Sequence, residues 1–458
     1  MYSTAEVARM ASVHRDTLLR WLRARVVPEP QRDRHGWRLF TNEEAKAVVG
    51  YATQTTPALP SVERQLSQID GLKEMDWDFE NAKTSYLTHG IHPYPAKFIP
   101  QIPNALIQEL SSVGDTVADI FCGSGTSLVE ALTLKRHAVG IDANPLACLI
   151  SGAKTNPVTD VDVEELTRLV SKSVQLADRI SVANEGGLFP PEKFASNGRR
   201  PASDTLEFWF EPFVIEELAE ILAWCRGLSS GASRDLALTA FSSIVVAVSR
   251  QDSDTRYVRR DKNLTPSESF RRFARSLEQA IRVAIEFSEI VEPRFTCRVI
   301  SENLLKEPDM PPVDLVVCSP PYPNAYSYHL YHMTRMLWLG MDQPKFKQEE
   351  IGSHRKYSSN SKHAANEETF LREFETIMGW LGRKLRVGGS ACFVVGDSTL
   401  KGRKINNANL IVRAARSAGF AEVARIERTL QTTKKAFNPS IGKIKTENVL
   451  ILENRGRA

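Results

Sequence analysis

The spacing of apolar and polar residues divides the chain into segments of different character. Residues 3–10 open on Ser3 and Thr4 with Glu6 three positions after Ser3, the signature of a capped helix start. After a turn through Ala11-Ser12-Val13, residues 14–25 predict a second short helix. Leu18, Leu19 and Leu22 form its packing face, and Arg15, Arg20 and Arg23 take polar positions. Pro28-Glu29-Pro30 follows, then a hairpin-like stretch ending Gly36-Trp37-Arg38-Leu39-Phe40, and a third helix starting at Thr41-Asn42-Glu43-Glu44. Helix, turn, helix, wing, helix is the order of a winged helix-turn-helix, placed over residues 1–52. Periodicity fades over 53–80, which predicts a linker. From 81 to 458 apolar strands alternate with amphipathic helices, the pattern of a parallel α/β sheet. A mostly helical insert at about 160–290 interrupts it, and strands return at 297–301, 313–318, 390–396 and 448–452.

One stretch of this second unit carries chemistry. Val117-Ala118-Asp119-Ile120-Phe121 reads as a buried strand and runs into Cys122-Gly123-Ser124-Gly125-Thr126-Ser127 and a helix through Leu134. Strand, glycine-rich turn and helix make a ligand cradle, because glycines admit close backbone approach and a helix N-terminus presents free amides. No Gly-Lys-Ser/Thr follows, which disfavours a phosphate-gripping loop. The next strand, Ala138 to Asp142, ends in a carboxylate 23 positions after Asp119. That placement suits both ribose hydroxyls of an adenosine-containing cofactor, NAD as well as S-adenosylmethionine. A second motif, Ser319-Pro320-Pro321-Tyr322, directly follows the apolar strand Val313 to Cys318.

With that tetrapeptide the sequence resembles the amino-methyltransferases of DNA. Their first motif stands here as Asp119-Ile120-Phe121-Cys122-Gly123-Ser124-Gly125-Thr126 and their catalytic motif as Ser319-Pro320-Pro321-Tyr322. His92-Pro93-Tyr94-Pro95-Ala96-Lys97-Phe98 looks like the family's segment that wraps the methionine end of the cofactor. The resemblance covers about residues 86–155 and 295–455. It implies a Rossmann-like α/β methyltransferase using S-adenosylmethionine, with Ser319, Pro320, Pro321 and Tyr322 catalytic. Cofactor contacts would come from His92, Pro93, Tyr94, Ala96, Lys97, Phe98, Asp119, Phe121, Cys122, Gly123, Gly125, Thr126 and Asp142. The family's usual Gly-Asp-Ala stands here as Ser301-Glu302-Asn303, so Glu302 takes the adenine-side position.

The tetrapeptide fits amine chemistry. An amine conjugated with a base ring is a poor nucleophile, and acceptors aimed at its N–H bonds favour a pyramidal nitrogen. Ser319 Oγ and the Pro320 carbonyl can supply them, two prolines remove competing donors and stiffen the turn, and Tyr322 offers a face for an extruded base. Positioning and electrostatics then suffice without a covalent nucleophile. Carbon-5 methylation needs a cysteine after proline, and the chain has no Pro-Cys. Glu447-Asn448-Val449 matches a motif of that other family and reads as coincidence at the start of a terminal strand. Within the resembled family, Ser at the first position points to cytosine N4 and Asp to adenine N6, so cytosine N4 is expected. The rivals are adenine N6, an RNA base amine, and a regulator whose methyltransferase domain is not catalytic.

Charge adds a partner. The formal net charge is only +4, but residues 1–52 hold nine Arg or Lys against six Asp or Glu. This segment resembles the MerR DNA-binding domain, including its Gly-x-Arg-x-Phe-Thr step at Gly36–Thr41. The resemblance implies that the 14–25 helix, with Arg15 and Arg20, enters a major groove while Arg34 and Arg38 meet phosphates of double-stranded DNA. In the insert, Arg256, Arg259 and Arg260 lie with Arg250, Tyr257 and Lys262 in a basic, aromatic patch expected to touch DNA, against the alternative of a salt-bridged surface with Asp252, Asp254 and Asp261. The aromatic run Tyr326, Tyr328, His329, Tyr331 and His332 is expected mostly to pack, and 341–366 to form a mobile polar loop. Six scattered cysteines without a Cys-x-x-Cys pair predict neither disulfides nor a metal site. Leu236 to Val248 is too polar and short for a membrane span and predicts a buried helix. A cytoplasmic protein without membrane contact is expected. The sequence leaves room for a cognate restriction endonuclease as partner, and leaves the oligomeric state open.

Overall fold

A computed structural model describes residues 2–11, 13, 18–19, 21–22, 26–32, 38–53, 68–80, 82–97, 99–185, 194–323, 326–358, 365–400, 402–430 and 446–456. In the N-terminal unit, β1 (Tyr2–Ser3), β2 (Gln31–Arg32) and β3 (Arg38–Phe40) form an antiparallel sheet in the order β1-β3-β2. The first and third predicted helix starts carry reciprocal caps. Ser3 and Glu6 exchange bonds ahead of the Thr4–Met10 helix, as Thr41 and Glu44 do at the Asn42–Thr53 helix. Val7, Leu18, Leu22, Phe40, Ala45 and Val48 share one small core. Arg15, Arg20 and Arg34 lie outside the described residues.

The larger unit is built on β4 (Thr116–Asp119), β5 (His137–Asp142), a hairpin of β6 (Gln251–Ser253) and β7 (Arg256–Arg259), β8 (Cys297–Ser301) and β9 (Val313–Cys318). The chain continues through β10 (Leu385–Gly396), a hairpin of β11 (Ser398–Leu400) and β12 (Arg403–Ile405), β13 (Phe420–Thr429) and β14 (Thr446–Asn454). Seven strands make one sheet in the order β13-β14-β10-β9-β4-β5-β8. The five from β10 to β8 are parallel, and β14 runs antiparallel to both of its neighbours. The expectation of a parallel sheet therefore holds for its centre and fails at one edge, where β13, unpredicted, alternates buried and exposed positions. From β4 the chain steps outward through β5 to β8 and then returns to β9 on the other side of β4. Such a reversal opens a crevice beyond the carboxyl ends of the strands, the ordinary ligand position in this architecture.

Both sheet faces are covered. The Glu367–Lys384 and Asn407–Arg416 helices pack over Ala118, Val316 and Phe393. The Gln101–Leu110 and Thr126–Thr133 helices cover Val117, Leu315 and Val394. The insert supplies the helices Asp160–Glu185, Pro212–Arg226, Gly231–Val245 and Glu268–Ile290 around a second apolar core that includes Phe210, Phe241 and Phe270. The apolar 236–248 stretch lies there as a buried segment, and among the described residues no helix is long and apolar enough to cross a membrane.

Two expectations are corrected. Residues 68–80 are not linker: 68–73 are helical, and Ile69, Leu72 and Trp77 are buried against Ile102 and Leu106. Their apolar positions are too few to show a period, yet Trp77 also donates its indole N–H to Leu72 O at 2.8 Å. Nor is 341–358 a surface loop. It forms the Gln343–Glu349 and His354–Tyr357 helices, with Phe346, Ile351 and Tyr357 buried. Three apolar anchors outweigh its polar composition.

Candidate active site

At the end of β4 the chain turns sharply into the Thr126–Thr133 helix, with Gly125 as N-cap at φ +78°. A Cβ there would stand 2.8 Å from Ser151 Cβ, so both the left-handed backbone and the close approach demand glycine. Asp119 turns inward and holds the loop, accepting from Phe121 N–H at 3.1 Å and Ser127 Oγ at 2.7 Å. Burial pushes its carboxyl up to about 7, against those two bonds. Asp142, at the end of β5, receives Gly123 N–H on Oδ2 at 2.9 Å and Asn144 N–H on Oδ1 at 2.8 Å. Burial pushes its carboxyl up to about 6, the two N–H bonds oppose this, and the nearby Glu350 carboxylate adds to it. The two backbone bonds fix the carboxylate plane and leave further lone pairs for hydroxyl donors.

The Ser319–Tyr322 corner follows β9, the strand beside β4. One cavity of about 620 Å³ is lined by Gly123, Asp142, Glu302, Ser319, Pro320 and Tyr322, so the cradle and the corner open onto the same space. Its size is that of an ordinary small-molecule site. Ser319 Oγ donates to Val394 O at 3.0 Å. Gly352 backs the corner so closely that a Cβ would lie 2.9 Å from Tyr322 O. Burial raises the Tyr322 hydroxyl above its ordinary range. Tyr94 closes the cradle side, stacking on Tyr328 with ring centres 5.7 Å apart and leaning on His332 at 5.1 Å. Glu350 orients this run by accepting from Tyr328 N–H and pairing with His329 Nδ1.

Of the residues expected to hold the cofactor, Tyr94, Ala96, Lys97, Phe121, Cys122, Gly123, Thr126, Asp142 and Glu302 line the cavity. Lys97 donates to His89 O at 2.9 Å, and burial lowers its pKa. Glu302 accepts from Asn303 N–H and Lys306 Nζ, bonds that hold its carboxyl below the usual range. Four other expected contacts are not among its lining residues, and a fifth is unplaced. His92 bonds Ser242 Oγ at 2.9 Å, facing the insert, Asp119 and Gly125 hold the turn that backs the cavity, and Pro93 does not line it. Phe98 lies outside the described residues. Unforeseen lining residues include Asn144, Glu350, Arg428 and Glu447, while Tyr326 and Tyr328 line the cavity from the aromatic run. Asn144 was legible as the cap of the Pro145–Thr155 helix. Glu447, set aside as coincidence, reaches the cavity because β14 runs antiparallel and starts at its rim.

The residues expected to meet DNA are partly engaged. Arg38 pairs with Glu29 at 2.8 Å. Arg256 and Arg260 both reach Asp252 at 3.2 Å, and Arg259 reaches Asp261 at 3.3 Å and lies over the Phe208 ring. The patch is a β-hairpin within the helical insert, with all four β7 residues exposed. Such exposed pairs hold their partners weakly. Among the described residues no His, Cys, Asp and Glu group could hold a metal ion.

Known proteins resemble this chain in the same places. A DNA methylase family model matches residues 27–152, and the model of the MerR family of helix-turn-helix regulatory proteins matches residues 2–48. The type II methyltransferase M.MjaII of Methanocaldococcus jannaschii is 36% identical over 103 residues, covering 21% of this chain and 19% of its own. The type II methyltransferase M.MvaI of Kocuria varians is 32% identical over 174 residues, 37% of this chain and 36% of its own. The chain thus spans well under half the length of these two relatives. Among solved structures, the S-adenosyl-L-methionine complex of a candidate DNA modification methylase from Thermus thermophilus is 22% identical, at a TM-score of 0.21 over 34% of this chain and 54% of that one. The chain therefore carries a segment similar to the DNA methylase family over residues 27–152, which holds the glycine cradle and Asp142, and a MerR-like segment over residues 2–48 at its N-terminal end.

Proposed function

We propose that this protein transfers a methyl group from S-adenosylmethionine to an exocyclic base amine in double-stranded DNA, at N4 of cytosine. The observation that carries this reading is the single cavity shared by Gly123, Asp142 and the Ser319–Tyr322 corner. The donor, when bound, supplies a methyl already activated by positive sulfur. Asp142 would accept from the ribose hydroxyls, and Tyr94 and Lys97 would bound the methionine end. The Ser319 hydroxyl hydrogen is committed to Val394 O, so Oγ turns its lone pairs to the cavity and acts as acceptor for the incoming amine. The Pro320 carbonyl supplies a second acceptor. Withdrawing both N–H bonds from the ring plane directs the nitrogen lone pair at the methyl, and fixed alignment of this kind lowers a barrier by as much as ~7–11 kcal/mol. The methylated nitrogen, cationic as it forms, returns to neutrality by losing one N–H proton to solvent water. Tyr322 would stack on the extruded base.

Ser at the first position of the tetrapeptide supports cytosine N4 over adenine N6. The N-terminal module supports duplex DNA over RNA, whose deep groove does not admit a helix. Arg256, Arg259 and Arg260 are the candidate phosphate contacts in the insert. The test is incubation with labelled cofactor and mixed DNA and RNA, followed by nucleoside mass analysis. N4-methylcytosine in the DNA is the expected product; label in RNA alone, or cofactor binding with no methylated base, would overturn the proposal.

A further inference from the structure

The cavity holds two charged groups that this mechanism leaves unused. Arg428 on β13 and Glu447 on β14 stand opposite each other in register, and Arg428 Nη1 donates to Glu447 Oε2 at 3.1 Å. Both line the cavity together with Ser319 and Tyr322. Glu447 also faces Gly396 at the end of β10, the strand end whose Val394 O receives Ser319 Oγ. The pair and the acceptor corner therefore share one rim of the sheet. Arg428 is anchored: its Nε donates to Trp77 O at 3.1 Å and its side chain is 6% exposed. Among the described residues neither Arg428 Nη2 nor Glu447 Oε1 has a hydrogen-bond partner. Joining β13 to β14 does not require the pair, since eight other residues of β13 are matched in that ladder. Taking two charges out of water is costly, which gives the pair no evident structural benefit on this wall. Asp78, also at this end, is committed to the backbone through Thr429 N–H at 2.7 Å.

We propose that Glu447 and Arg428 read the ring edge of the target base, Glu447 at the ring nitrogen beside the amine and Arg428 at the position beyond it, and so select cytosine over adenine. The inference rests on the base-amine reading given above. Along this edge cytosine presents its amine, the acceptor N3 and the acceptor O2. Adenine presents its amine, the acceptor N1 and a C–H. Either amine suits Ser319, and either ring nitrogen accepts a proton from a carboxylic acid. Only cytosine offers an oxygen to the guanidinium. Adenine would leave that buried donor without an acceptor, the kind of mismatch a hydrogen-bonding site rejects most strongly. The acid form that donates to N3 is accessible, since burial raises the Glu447 carboxyl against the opposing pull of Arg428.

The test uses the full chain and duplexes carrying its methylated site, located by sequencing plasmid DNA after treatment. With 3-deazacytosine at the target, which replaces N3 by C–H, wild-type kcat/KM should fall roughly 10- to 100-fold while S-adenosylmethionine affinity holds. Glu447→Met should lose a similar factor on cytosine and little more on 3-deazacytosine. Glu447→Gln, which keeps an N–H donor, should recover most of that loss. Wild-type turnover of 3-deazacytosine within about twofold of cytosine would overturn the proposal whatever the variants do. So would a Glu447→Met loss of equal factor on both bases, or N6-methyladenine as the wild-type product, each of which leaves amine methylation standing. Absence of any methylated base would overturn both readings together.

Discussion

Titration of Asp142 tests the cradle directly. Its carboxyl is pushed up to about 6 by burial, with Glu350 adding to the effect and the Asn144 and Gly123 N–H bonds opposing it. The unfolded chain would titrate near ~3.9. The folded value is thus the higher one, so the protonated form is favoured in the folded, cofactor-free protein. The associated stability is fully present below about pH 4 and is lost as pH rises through about 6, a difference of at most ~3 kcal/mol. Cofactor binding should run the other way. Ribose hydroxyls donate to the carboxylate, whereas the acid form has one oxygen occupied by its proton and both oxygens already bonded to backbone N–H groups. With a pKa of about 6, the ionised fraction rises from about a tenth at pH 5 to about nine-tenths at pH 7, and the apparent Kd should fall about tenfold. Calorimetric titration with S-adenosylmethionine across that range measures it. Asp142→Asn should bind more weakly by about 1–3 kcal/mol and with no trend over the same range. A flat wild-type profile, or an unchanged trend in Asp142→Asn, would refute the assignment of Asp142 to the ribose.

Three further outcomes follow from the same geometry. Ser319→Ala removes the acceptor that faces the amine, and kcat should drop about 100- to 1000-fold with cofactor affinity unchanged; single-turnover kinetics showing an effect on KM alone would contradict that role. Gly125→Ala places a methyl 2.8 Å from Ser151 Cβ in a left-handed backbone, so denaturant unfolding should show a loss of about 2–5 kcal/mol, and a loss below about 1 kcal/mol would mean the turn relaxes freely. Reversing Arg259 and Arg260 to Glu should weaken DNA binding and reduce its salt dependence by about one counterion for each lost phosphate contact, whereas an unchanged slope would assign the hairpin to a purely structural, ion-paired surface.

Much of the site was legible because it follows chain-local rules. A strand meeting Cys122-Gly123-Ser124-Gly125 announces a turn whose backbone only glycine permits at Gly125. Asp142 was marked by ending the next strand, and Ser319–Tyr322 by ending a third. Even so, sequence could not separate residues that line a cavity from those that support its wall. Asp119 and Asp142 look equivalent as strand-ending carboxylates, yet Ser127 and Phe121 N–H turn the first inward. The 343–358 segment looked like solvent-exposed chain because its polar residues outnumber Phe346, Ile351 and Tyr357, the three that bury it.

The sequence by itself determined the strand, glycine turn and helix that follow one another at 117–134 and the two strand-ending motifs, since each depends on backbone conformation or pairing within a few residues. Tertiary structure alone decided that positions 196 residues apart, Gly123 and Ser319, border one space, because that follows from β9 returning to lie beside β4. It also decided that Arg428 and Glu447 face the acceptor corner. No local pattern encodes which end of an antiparallel edge strand meets the carboxyl ends of its parallel neighbours.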